Sequence, residues 1–263
     1  MSEPVTITKD GHVAIVTLNR PEKHNAIDLR MFAALADAGT QLANDSSVRV
    51  VILEGAGPSF CAGIDLSVFQ QNDGSMLISK MAPEQDSLAN FFQRAAFVWR
   101  EIPQPVICAL HGSVFGGGLQ IALGADLRYA SADCQLSVME IKWGIIPDMA
   151  ISKTLARLLP ADKAKELAWT GRVFAADEAY EMGVITAIHD NPSQMARETA
   201  GAIALKSPNA VRAIKRLFDE SAEMSTAQAL QLEAQLQMSL LGSPQQSEAV
   251  AANLEKRLPK FED

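Results

Sequence analysis

Cysteine is scarce in this chain of 263 residues, with only Cys61, Cys108 and Cys134. The number is odd, no CxxC pair occurs and no spacing suits zinc, so a disulfide scaffold is excluded and no metal site is expected. Each cysteine sits among apolar or small neighbours and reads as a small buried hydrophobe. Positive charge is also in deficit: 23 Lys and Arg stand against 31 Asp and Glu, a net charge of −8. The overall field therefore opposes a polyanion, which argues against a nucleic-acid partner and against an anionic membrane surface. No uncharged apolar run approaches ~18 residues, so no bilayer span is expected. The opening MSEPVTITKDG has neither an apolar h-region nor an Arg-rich amphipathic stretch. The closing KFED is not a common retention or peroxisomal signal. A cytoplasmic protein is expected.

What the chain does have is apolar bulk. Hydrophobic residues make up 48% and charged residues 21%, which rules out collagen and disorder. A chain of this length buries roughly 75% of its unfolded surface. Strand and helix signals alternate. His12–Leu18 is β-rich, the apolar residues of Ile27–Asn44 recur at helical spacing, and Val48–Leu53 and Val106–Leu110 read as strands buried on both faces. Shorter strands are predicted at Leu127–Ala130 and Gln135–Val138. This interleaving points to an α/β layered core. Between Gln70 and Asp86 the pattern dissolves into polar residues with Gly74 and Pro83, a mobile loop or lid or a long surface connection.

After Ser207-Pro208 only helix signals remain, at Asn209–Glu223, Thr226–Leu241 and Pro244–Leu258. Ser225-x-x-Gln228 and Ser243-Pro-x-Gln246 read as capping boxes. The expected division is a core over 1–206 and a helical region over 207–263, whose apolar faces must pack on the core or on another subunit.

Two glycine-containing stretches follow the two strongest strands: Ser59-Phe60-Cys61-Ala62-Gly63-Ile64-Asp65-Leu66 and Gly116-Gly117-Gly118-Leu119-Gln120. The second opens the helical run Leu119–Gly124. Consecutive glycines let a backbone approach a ligand closely, and at a helix start they present unpaired N–H groups suited to an anion or a developing oxyanion. Neither stretch is a nucleotide loop, because GxxxxGK[ST] is absent and no GxGxxG has the strand–turn–helix setting. His111 has no Ser or Cys partner placed for a triad. Asp65 and Asp126 read as organisers of a loop and a helix end.

Four segments resemble the crotonase (enoyl-CoA hydratase/isomerase) superfamily: RPEKHNAID (20–28), VRVVILEGAGPSFCAGIDL (48–66), PVICALHGSVFGGGLQIALGADLRYAS (105–131) and SPNAVRAIKRL (207–217). The resemblance implies a spiral of ββα units, a C-terminal helical trimerisation region, and a homotrimer or dimer of trimers. It implies an acyl-CoA thioester as substrate, with coenzyme A entering as part of it, and neither a tightly bound cofactor nor a metal. By position, the backbone N–H groups of Ala62 and Gly117 would form the oxyanion hole. Asn25, Ala26, Ile27, Ile64, Asp65 and Leu66 would hold coenzyme A, with Lys256, Arg257 and Lys260 as phosphate candidates or simply a solvated face. The family's hydratases carry Glu where this chain has Gln120, and a second Glu at the position of Glu140. Gln120 remains a candidate catalytic-site residue, since a carboxamide can orient water or a carbonyl, but it cannot accept and return a proton at neutral pH. Glu140, with apolar neighbours, thus becomes the principal proton-transfer residue. Asp148 resembles the second carboxylate of the family's dienoyl-CoA isomerases, or it caps a helix over Met149–Leu158. Double-bond isomerisation is the expected reaction, with enoyl-CoA hydration and non-catalytic acyl-CoA binding as alternatives.

Overall fold

A computed structural model of the protein describes residues 3–71, 74–83 and 87–263. Among the described residues, nine strands run in chain order as β1 (Val5–Asp10), β2 (Val13–Leu18), β3 (Val50–Gly55), β4 (Val106–Leu110), β5 (Ser113–Phe115), β6 (Leu127–Ala130), β7 (Gln135–Ser137), β8 (Phe174–Ala175) and β9 (Ala187–Ile188). The larger sheet has the order β1-β2-β3-β4-β6-β9 and the smaller one β5-β7-β8. β1 and β2 form an antiparallel hairpin, and β2, β3, β4, β6 and β9 then pair in parallel.

The helices are α1 (Leu29–Ala43), α2 (Ser67–Gln71), α3 (Gly74–Ser79), α4 (Phe91–Glu101), α5 (Gly117–Leu123), α6 (Leu155–Leu158), α7 (Ala161–Thr170), α8 (Ala176–Glu181), α9 (Pro192–Ala204), α10 (Pro208–Ser221), α11 (Thr226–Leu240) and α12 (Pro244–Leu254). β4 lies in the larger sheet, β5 in the smaller, and α5 follows; β6 and β7 repeat the same alternation between sheets. One turn earlier, Cys61 continues from β3 and bridges Val114 of β5. Successive strand pairs thus climb between the sheets in ββα turns.

Both faces of β3 are buried, as its unbroken apolar run demands. Val51 and Leu53 enter the main core with Phe32, Leu35 and Trp99. Val50 and Ile52 face α9, which meets them with Ala196, Ala200 and Ala204 at helical spacing, so small side chains let the helix lie close to the sheet. The strand starts at Val50 rather than Val48, because Arg49 N–H and Val50 N–H both turn toward His12 O. α1 likewise starts late. Asp28 is its N-cap and accepts from Met31 N–H at 2.9 Å, which frees Ile27 for a bridge to Ile64. The stretch 70–86 is not a plain loop: α2 ends and α3 lies within it, while 72–73 and 84–86 fall outside the described residues.

In the tail, Ser225 and Gln228 complete the capping box of α11. Ser243 caps α12 through Gln246 N–H, but the Gln246 side chain accepts from Gly242 N–H, one residue too early to close the box. α10 is pinned to the core by Lys215, whose ammonium donates to Trp99 O (3.0 Å) and Gln104 O (2.9 Å) and pairs with Asp126 (3.0 Å). The last residues return to the core sheet, where buried Arg49 holds Ala204 O, Phe261 O and the Asp263 carboxylate. Among the described residues, no helix is long and apolar enough to cross a membrane.

Candidate active site

The two glycine-containing stretches meet at one wall of a cavity of about 460 Å³. Ile27 donates to Gly63 O (2.8 Å) and accepts from Asp65 N–H (2.9 Å). Those two bonds flank Ile64, so in this parallel bridge the Ile64 N–H is turned away from Ile27. Gly63 makes the turn possible: its φ is +94°, and a Cβ there would lie 2.9 Å from Phe115 O. The Ala62 N–H is not free, since it donates to His24 O at 2.9 Å. This corrects the assignment of Ala62 as an oxyanion donor. The alternation of backbone direction turns the N–H two residues on, that of Ile64, away from the Ile27 bridge.

Beside it, Gly116 adopts φ 50° and ψ −120°, a region that only glycine occupies readily, and α5 starts at the next residue. Gly117 is its first helical residue, so its N–H has no partner one turn back in the helix. Ile64 and Gly117 both line the cavity.

Glu140 opens a short 3-10 turn, Glu140–Trp143, after β7. It is buried, at 7% exposure, which excludes a surface-loop carboxylate. Its Oε1 accepts from Gln120 Nε2 at 2.6 Å, and its Oε2 has no hydrogen-bond partner. The Gln120 oxygen in turn accepts from Met149 N–H at 2.8 Å. Burial pushes the Glu140 carboxyl above the ordinary carboxylate range and the Asp148 charge pushes the same way, while the N–H dipoles of Gln120 and the neighbouring backbone oppose this only in part. Asp148 lines the cavity too, and burial raises its carboxyl as well.

Asp148 is not a helix cap. No helix spans Met149–Leu158: a 3-10 turn occupies Ile151–Lys153, α6 begins at Leu155, and Thr154 precedes it without a side-chain cap. Ala150 has φ 64°, and this left-handed residue breaks any helix starting at Asp148.

Of the residues expected to hold coenzyme A, Ala26, Ile27, Ile64, Asp65 and Leu66 line the cavity. Asn25 does not. It is fully buried, its amide binds Ala56 O, Ser59 O and Phe60 O, and its oxygen accepts from Arg20 N–H, so it braces the wall from behind. Asp65 both lines the cavity and organises its loop: burial works against its charge, but Ser67 and Arg20 outweigh it and hold the carboxyl low. Lys256, Arg257 and Lys260 do not line the cavity; Arg257 pairs with Glu248 and Glu255. Lys23, inside the segment RPEKHNAID but not singled out from it, does line the cavity. His111 bonds Gly57 O, and Asp126 accepts from Val106 N–H, both structural roles. Burial pushes the Cys61 thiol up to about 12, so no thiolate is available there.

Much of the lining is apolar. Val68 and Phe69 of α2, Leu77 of α3, Phe32 of α1 and Phe92 of α4 give the cavity an apolar lining beside its polar groups. None of these carried a motif; they read in the sequence as ordinary core or loop residues. The cavity thus gathers two carboxyls raised by burial, Glu140 and Asp148, the backbone of Ile64 and Gly117, and apolar side chains.

The family description Enoyl-CoA hydratase/isomerase matches residues 8–263. An enoyl-CoA hydratase of Mycobacterium tuberculosis is 32% identical over 98% of this chain and 96% of its own. A peroxisomal Delta(3,5)-Delta(2,4)-dienoyl-CoA isomerase of Arabidopsis thaliana is 32% identical over 96% of this chain and 93% of its own. The crystal structure of an enoyl-CoA hydratase from Bacillus anthracis superposes with a TM-score of 0.90 at 30% identity, covering 98% of both chains.

Proposed function

Because the chain belongs to the enoyl-CoA hydratase/isomerase family and has the crotonase fold, we propose that its reaction is double-bond isomerisation of an enoyl- or dienoyl-CoA through a thioester enolate. Glu140 Oε2 takes a proton from the carbon next to the thioester, the electron pair moves onto the thioester oxygen, and the Ile64 and Gly117 N–H groups hold that oxygen. Two such donors in a dry site contribute about 3–4 kcal/mol each to stabilising the developing charge. Returning the proton to a carbon further along the conjugated chain completes the shift, from Glu140 itself or from Asp148, which lines the same cavity. No water is consumed, and the double bond moves.

The observation that carries this reading is the amide at position 120. Glu140 shares its buried setting with a neutral side chain rather than a second carboxylate, so the paired acid and base of a hydration step are not both present there. The second carboxylate, Asp148, lies elsewhere on the cavity wall. Hydration is the second reading, favoured by the names of the relatives and by the capacity of a carboxamide to hold water. A soluble homotrimer, or a dimer of trimers, is the proposed assembly, and the cytoplasm the proposed compartment.

The test is a panel of enoyl-, dienoyl- and hydroxyacyl-CoA esters incubated with the protein in heavy water and followed by mass spectrometry. Deuterium entry with a displaced double bond is the expected result. Rapid addition of water to a 2-enoyl-CoA, at an ordinary rate on the order of 10 per second, replaces isomerisation with hydration. No exchange on any ester, with the esters still bound, leaves a binding protein.

A further inference from the structure

The two ends of the Gln120 carboxamide serve different partners. Met149 N–H can only donate, so the carboxamide oxygen must face it, at 2.8 Å. The NH₂ end is thereby turned to Glu140 Oε1, at 2.6 Å. This orientation follows from the backbone donor and leaves no choice of flip. Gln120 is 1% exposed, so core packing holds the amide where it is. One oxygen of Glu140 is therefore permanently engaged and the other, Oε2, is left without a partner.

We propose that Gln120 is a positioning residue: anchored on Met149 N–H, its amide fixes the Glu140 carboxylate by Oε1 and presents Oε2 alone as the proton acceptor. This rests on the proton-transfer role of Glu140. The charged surroundings leave Gln120 a distinct part to play. α5, which carries it, has no titratable side chain. On the Glu140 turn, Lys142 lies over the Trp143 ring, 5.4 Å from its centre. α7, packed on that turn, keeps Asp162, Lys163 and Lys165 exposed and pairs Glu166 with Arg172. In the loop beyond, Lys153 pairs with Glu223, and Asp148 opposes ionisation of Glu140. The Gln120 N–H is the side-chain donor that favours the carboxylate, so its loss delays formation of the base to higher pH.

The experiment is the pH profile of kcat/KM for exchange of the α-proton of a saturated acyl-CoA in heavy water. Gln120→Met removes the donor at similar volume. Gln120→Asn keeps an amide in the core but withdraws it by one methylene, and it carries the same expectation where Gln120→Met loses the fold. The midpoint of the acidic limb is expected to rise by about one pH unit in either variant, with KM unchanged. A folded variant whose midpoint stays in place, whatever its overall rate, overturns the positioning role. Exchange that survives Glu140→Gln overturns the proton-transfer reading beneath it, a separate outcome read in the same assay.

Discussion

At the scale of single residues, the proposed base is held at a cost in stability. Glu140 is buried with one oxygen unsatisfied, a state the folded chain holds most cheaply when the carboxyl is protonated. Its folded value lies above the ordinary 4.5. Between those two values the unfolded chain has already lost the proton that the folded chain keeps, so stability falls as pH rises through that window. Below 4.5 both states are protonated and no difference remains. Glu140→Gln is therefore expected to cut turnover by about 10²–10⁴-fold with little change in acyl-CoA affinity. Its melting temperature should exceed the wild type's at pH 8, with the gain vanishing near pH 4. A melting temperature lower at pH 8 contradicts the burial argument. Asp148 permits a sharper separation. With no cap to lose, Asp148→Ala should leave the melting temperature at neutral pH equal or higher, while dienoyl-CoA isomerisation falls and α-proton exchange at Glu140 persists. A stability loss of about 1 kcal/mol, the usual value of a cap, would restore the structural role instead.

At the scale of elements, the apolar lining of the cavity depends on how α3 is tied to α4. Asn90 closes the capping box of α4, accepting from Phe92 and Gln93 N–H while its own N–H donates to Gln93. Its amide also reaches back to Met81 O at 3.2 Å, and Met81 lines the cavity. Asn90→Ala is expected to cost about 1–2 kcal/mol, a fall in melting temperature of a few degrees. Because the same substitution releases Met81, KM for a long acyl chain should rise more than KM for a short one. Equal KM changes for both chains would show that the cap supports the fold without shaping the cavity.

At the scale of the whole molecule, the tail offers a surface the monomer does not cover. Leu230 and Met238 of α11 are 58% and 66% exposed, and Leu254 at the end of α12 is 79% exposed. We propose that these exposed apolar side chains, on two successive helices of the chain, form an interface with further copies of it. Replacing Met238 and Leu254 together by Glu should reduce the particle mass seen in light scattering to that of a monomer. The circular dichroism of the subunit should be unchanged, since both positions already face solvent. An unchanged particle mass places the interface elsewhere.

The sequence by itself determined the layered α/β class, the helical tail and the two glycine stretches, because each is written in local periodicity or in a residue type with one backbone use. Val106–Leu110 reads as a doubly buried strand from its own five residues, and Gly116 announces a backbone that other residues avoid. β1 escaped notice because only Val5 of it is buried and its polar half resembles a loop. β5 is too short for periodicity to register, and it exists through its pairing with β7. What only the tertiary structure decided lies between segments far apart in the chain. The Ala62 N–H was taken by His24 O and the proposed oxyanion donor became Ile64, whose N–H the bridge to Ile27 turns away, since the direction of an N–H is settled by whichever strand takes its neighbours. The fate of Asp148 likewise turned on the left-handed Ala150 and on Met149 N–H bonding Gln120, 29 residues earlier. Residue types are local, but hydrogen-bond partners are assigned by packing, and a site made of backbone donors and one oriented carboxylate is decided by partners.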